Sequence, residues 1–125
     1  VINGDGQYSR DFTYIDNVVQ ANVKAAFSIN PQAVNQVFNI AFGESTTLNN
    51  LVLLINEYLT HYDKSISEIK TNYGPARIGD IPHSVASIKK AKKILNYSPQ
   101  FSISSGLKEA IDWYVTHKET LFATQ

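Results

Sequence analysis

The sequence predicts a mixed α/β domain of about four helices separated by short strands. Three observations carry this. Apolar residues recur at helical spacing in four separate stretches. The runs between them are short, aromatic and β-branched. Glycine and proline punctuate the joins. With 125 residues, one domain is expected, and that length can bury a core.

Taken in order, Val1-Ile2-Asn3 reads as the tail of a strand and Gly4-Asp5-Gly6 as a turn, since glycine reaches the positive φ angles a tight turn needs. Asp11 to Ile15 is expected to be extended. Asp16 or Asn17 can cap a helix that turns Val19, Val23, Ala26 and Phe27 inward and stops at Asn30-Pro31. Gln36 to Phe42 reads as a buried strand closed by Gly43. Thr47 is a good N-cap for a second helix with Leu48, Leu51, Val52, Ile55 and Leu59 as its apolar stripe. Ile69 to Tyr73 reads as a strand before Gly74-Pro75. Ser84 or Ser87 opens a short third helix with Ile88, Ala91 and Leu95 inward. Asn96 is placed to end it in the left-handed conformation, ahead of Pro99. Ser104 opens the last helix, with Leu107, Ala110, Ile111 and Tyr114 on one side. No repeat, low-complexity tract or linker divides the chain.

Composition excludes several classes of function. Eleven basic residues balance eleven acidic ones, so no overall field attracts nucleic acid or an anionic membrane. The longest aliphatic run, Leu51 to Ile55, is too short to span a bilayer. The absence of cysteine excludes thiolate metal sites and disulfides. No second histidine is spaced to make His83 a metal ligand, and no metal is expected. Nothing reads as a secretory signal, and a cytoplasmic location fits. The chain starts at Val1 and contains no methionine, so it is expected to be a processed product or a piece of a longer protein.

The chemistry lies in two arginine motifs, Ser9-Arg10-Asp11-Phe12 and Arg77-Ile78-Gly79-Asp80. Guanidinium presents a planar fork of donors that stays charged and matches phosphate oxygens. Aspartate supplies acceptors for a sugar hydroxyl. Two arginines and Asp80 together suit a diphosphate with a ribose beside it.

These stretches resemble the substrate-binding part of extended short-chain dehydrogenases/reductases, the NAD-dependent epimerase/dehydratase family. Gly4 to Ile15 resembles the segment that opens that part, and Val37-Phe38-Asn39-Ile40-Ala41 its following strand. Arg77-Ile78-Gly79-Asp80-Ile81-Pro82-His83-Ser84 resembles its second arginine motif. Lys90-Ala91, Leu95 to Pro99, Gly106-Leu107 and Trp113-Tyr114 resemble its ending. The Gly-Asp-Gly opening and Gly79-Asp80-x-x-His83-Ser84 look most like UDP-N-acetylglucosamine or UDP-glucose 4-epimerases.

The resemblance implies a single C-terminal substrate-binding domain over residues 1–125, lacking the N-terminal Rossmann half with its glycine-rich fingerprint and catalytic Tyr-x-x-x-Lys pair. It implies a UDP-sugar ligand held by Arg10, Arg77 and Asp80, with Asn3 against the uracil, although Asn3 also fits an ordinary turn before Gly4. No catalytic residue is expected here. NAD is implied in the full-length homodimeric enzyme, where hydride leaves C4 and returns to its other face, and none is expected on this chain, which alone should be inactive. A 4,6-dehydratase would share the scaffold, and a noncatalytic nucleotide-sugar-binding or assembly module stays open.

Other residues read more plainly. Arg10 has an alternative as a surface residue paired with Asp11. Phe12 and Tyr14 suit the core or the site wall, and Asn39 the backbone after its strand. His83 suits an exposed or capping role better than acid/base work. Tyr114-x-x-x-Lys118 has the catalytic spacing, but it lies in the last helix beside Trp113, so it is expected to be a chance match. Lys89, Lys90, Lys92 and Lys93 read as the solvated face of a short helix. Asn96-Tyr97-Ser98 matches a glycosylation acceptor without a secretory context. Ala86-Ser87 departs from the Ala-Asp usual in relatives at little cost, because serine also caps helices.

Overall fold

The computed structural model describes residues 1–122. Four helices carry it: α1 (Ile15–Ala26), α2 (Leu48–Thr60), α3 (Lys89–Leu95) and α4 (Ile103–Phe122). Four two-residue strands tie the segments between them: β1 (Ile2–Asn3), β2 (Ser9–Arg10), β3 (Thr46–Thr47) and β4 (Tyr73–Gly74). β1 pairs in parallel with β4, Ile2 opposite Tyr73, and β2 pairs antiparallel with β3, Ser9 opposite Thr47. The expected mixed α/β fold of four helices with short strands is the one observed.

Where the local signal is strong, the chain follows it. The Thr47 hydroxyl accepts from the Asn50 amide at 3.2 Å and caps α2. Asn96 leaves α3 at φ 53, the left-handed turn that asparagine tolerates. Gly4 and Gly6 turn at φ 81 and 76. The core joins Ala21 of α1, Ala41, Ile88, and Ala91 and Leu95 of α3 around Tyr97. Buried Tyr97 donates its hydroxyl to the Ala41 carbonyl at 2.8 Å.

Several boundaries and faces differ from expectation. Neither Asp16 nor Asn17 caps α1, whose N-cap position is Tyr14. Asn17 is instead buried: its amide donates to the Phe101 carbonyl at 2.7 Å and accepts from the Gln100 and Phe101 amides at 2.8 and 3.1 Å. This turns Asn17 and Ala21 inward and leaves Val19, Val23 and Phe27 exposed, the reverse of the expected face. Small and amide side chains let the neighbouring chain approach closely. The larger apolar stripe points the other way, where no described residue covers it.

The expected strand at 36–42 forms no ladder, and three of its backbone groups bond side chains instead. Lys90 Nζ donates to the Val37 carbonyl at 2.9 Å, Tyr97 to Ala41, and the Phe42 amide to Asp11. Of the expected strand at 69–73, only Tyr73 pairs. Neither Ser84 nor Ser87 caps α3; Ile88 takes the N-cap position without a side-chain bond. α4 begins one residue earlier than read, and Ser102, not Ser104, supplies the hydroxyl that accepts from the Ser105 amide at 3.3 Å. Ile111 is buried as expected, whereas Tyr114 is exposed.

Candidate functional site

The two arginine motifs, far apart in sequence, run side by side. The β1–β4 ladder begins the alignment, and the Gly4 amide extends it to the Gly74 carbonyl at 3.0 Å. Farther along, the Ser9 amide donates to the Pro82 carbonyl at 2.8 Å, and the Ser84 amide to the Ser9 carbonyl at 3.2 Å. This parallel bridge, Ser9 opposite His83, fixes the register of one motif against the other.

Arg10 is half-buried, and its Nη1 donates to the Ser9 carbonyl at 2.8 Å and the Pro82 carbonyl at 3.4 Å. It therefore leans from the first motif onto the second and keeps donors to spare, since guanidinium carries five N–H groups. Asp11 does not pair with it. The Asp11 carboxylate gathers the amides of Phe42 (3.1 Å), Gly43 (3.0 Å) and Ala86 (3.4 Å). It thus ties the loop after Ala41 and the approach to α3 to the residue next to Arg10. Reading Asp11 as a surface partner missed this work, which depends on contacts across 31 and 75 positions.

Arg77 and Asp80 are exposed at the tip of the second motif. With the Asn3 amide oriented so that its oxygen faces Arg77, Nε and Nη2 each donate to it at 2.9 Å. Asn3 and Arg77 are therefore in direct contact, joined across β1 and β4. Asp80 closes a turn, its amide donating to the Arg77 carbonyl at 3.4 Å, and its carboxylate is exposed. Gly79 supplies the positive φ, 88°, that this turn requires. A Cβ there would meet open space, so the glycine serves the turn rather than a close approach.

Three side chains in this region carry a connected set of bonds. The Ser45 hydroxyl donates to Ser9 Oγ at 2.7 Å, and Ser9 Oγ bonds His83 Nδ1 at 2.9 Å. Ser9 is buried while His83 is exposed. Phe12 and Tyr14 lie away from this face, half-buried against α4 and Phe101. The Tyr114/Lys118 pair sits on exposed α4 beside Trp113, which stacks on His117.

A model of the GDP-mannose 4,6-dehydratase family matches residues 1–110. The chain belongs to this family. Over 112 residues it is 33% identical to a UDP-glucuronate 4-epimerase of Thermodesulfobacterium geofontis, covering 90% of this chain and 32% of that protein. It is 37% identical to a crystallised UDP-glucose 4-epimerase of Thermotoga maritima with UDP-glucose, at TM-score 0.78 over 94% of this chain and 36% of that one. A UDP-glucuronic acid 4-epimerase from Bacillus cereus, in complex with UDP-glucuronic acid and NAD, is 28% identical at TM-score 0.76 over 92% of this chain and 34% of its own. The chain spans about a third of the length of the curated relatives it matches. The resemblance to extended short-chain dehydrogenase/reductase epimerases holds in both sequence and fold.

The described residues contain no dinucleotide fingerprint. A dinucleotide site needs a strand that passes through a glycine turn into a helix N-terminus. Here Gly4-Asp5-Gly6 leads from β1 to β2, and none of the described strands enters a helix in that way. Among the described residues no cluster could hold a metal ion, and no helix is long and apolar enough to cross a membrane.

Proposed function

We propose that this chain is the C-terminal, nucleotide-sugar-binding portion of an NAD-dependent UDP-sugar 4-epimerase. The observation that carries the reading is the alignment of the two arginine motifs by the Ser9–His83 bridge, in a chain whose relatives act on UDP-sugars. Arg10 and Arg77 grip the diphosphate, Asp80 accepts from a ribose hydroxyl, and Asn3, already against Arg77, borders the uracil. Binding energy spent at this remote end leaves the sugar free to present either face.

NAD, held outside this chain, supplies the acceptor and donor of hydride at C4. The residues described here bind and orient. The chain alone is then inactive, and interconversion of UDP-sugars by the purified chain would overturn that. The intact enzyme is a cytoplasmic homodimer that associates through helices outside this portion. The family model, named for a 4,6-dehydratase, favours one second reading, the same portion of a nucleotide-sugar dehydratase.

The test is the Arg77→Ala variant of the gene product at its natural length. Loss of a charge-assisted hydrogen bond should raise the dissociation constant for UDP-sugar about 10- to 100-fold. An unchanged constant removes Arg77 from the site and the reading with it.

A further inference from the structure

His83 takes no part in the grip just described, yet it is the only one of the three histidines bonded to the first arginine motif among the described contacts. The bonds around it favour one tautomer. Ser45 donates to Ser9 Oγ, which leaves the Ser9 proton free to go to His83 Nδ1, 2.9 Å away. An imidazole that accepts at Nδ1 carries its proton on Nε2 when neutral. Buried Ser9, with exposed Ser45 donating to it, therefore favours this tautomer, and Nε2–H is left as a donor on an exposed side chain.

The placement of that donor is equally constrained. His83 follows Pro82, whose carbonyl accepts from both the Ser9 amide and Arg10 Nη1. It precedes Ser84, whose amide returns to the Ser9 carbonyl. The backbone is pinned on both sides of the imidazole, within one residue of a contact made by the Arg10 guanidinium. A donor held by a hydrogen bond on its other ring nitrogen and by pinned backbone binds at less cost of being ordered on ligand arrival.

We infer that His83 is a further ligand-binding residue, held by the Ser45–Ser9 hydroxyl relay so that Nε2–H donates to a diphosphate oxygen of the nucleotide gripped by the arginines. Ser9 and Ser45 are positioning residues acting through it. This rests on the nucleotide-sugar reading above and extends the grip from two arginines to a third donor. A structural role, in which His83 only fastens the two motifs together, makes a different prediction.

The experiment is a calorimetric titration of the natural-length gene product with UDP, run in parallel with thermal unfolding. His83→Ala should weaken UDP binding about 3- to 10-fold, the scale of a neutral hydrogen bond. Ser9→Ala should do the same through loss of orientation. The double variant should be no weaker than His83→Ala alone, because both act through one donor. His83→Gln, which carries an amide N–H at the distance of Nε2, should recover most of the affinity. Unchanged UDP affinity in His83→Ala, with a lowered melting temperature and Arg77→Ala still impaired, would overturn the inference and leave the proposed function standing. If Arg77→Ala also binds UDP normally, the proposed function itself fails.

Discussion

Arg10 stands between two anchored neighbours, and the anchors differ in chemistry. On one side Ser9 is fixed through its backbone to Pro82 and Ser84 and through its hydroxyl to Ser45 and His83. On the other, the Asp11 carboxylate accepts from three amides, charge-assisted bonds that exceed neutral ones in strength. Tyr97 belongs to the same framework. Burial, and then the negative charge of Asp11, push its phenol above the ordinary value of 10.0. The sign follows directly. The raised folded pKa contributes stability that is complete below pH 10 and is lost as pH climbs through the folded value. Denaturant unfolding should therefore show the chain weakening above pH 10. Tyr97→Phe should cost about 1 kcal/mol at neutral pH, because the Ala41 carbonyl loses its donor, and should flatten the alkaline decline. An alkaline decline of equal depth in the variant would assign it to other groups.

Among the elements, what was legible in the sequence is what depends on neighbours a few positions away. Thr47 capping α2 and Asn96 closing α3 are decided within four residues. The two-residue strands were not legible at that precision, because each is decided by a partner far along the chain: Ser9 by Thr47 and His83, Ile2 by Tyr73. The same applies to the site. Arg10, Arg77 and Asp80 stood out by residue type and motif, whereas the Asn3–Arg77 contact and the Ser45–Ser9–His83 chain appear only once the motifs are side by side. The periodicity of α1 identified a real stripe but not which face the rest of the chain would meet. α4 offers a sharper test of packing. Gly106 faces Tyr14 so closely that an added Cβ would lie 2.5 Å from the Tyr14 Cβ. That atom is fixed by its backbone, so no rotamer change relieves the clash. Gly106→Ala gains about 1 kcal/mol of helix propensity and loses up to about 3 kcal/mol to overpacking. A net destabilisation of about 1–2 kcal/mol is expected by urea denaturation. A more stable variant would show that α4 shifts freely against Tyr14.

Over the whole molecule, the buried apolar core among the described residues is small, and three of its eight members are alanine. Large apolar side chains lie outside it: Val23 and Phe27 are 51% and 81% exposed, and Ile29 is fully exposed. Contiguous exposure of this kind marks a surface made to be covered. With relatives about three times as long, the proposed cover is the remainder of the same polypeptide. Because the chain lacks cysteine, Val23→Cys places a single thiol on the stripe, with exposed Lys92→Cys as the reference. Thiol labelling should be similar at both positions in the 125-residue chain, and much slower at position 23 in the natural-length protein. Equal rates in the longer protein would mean that the stripe is not covered there. Titration of the natural-length protein with UDP and with uridine tests the diphosphate grip. UDP should bind far more tightly than uridine, and Arg10→Ala/Arg77→Ala should remove most of that difference. Equal binding of UDP and uridine by the unaltered protein, or undiminished UDP binding by the double variant, would contradict it.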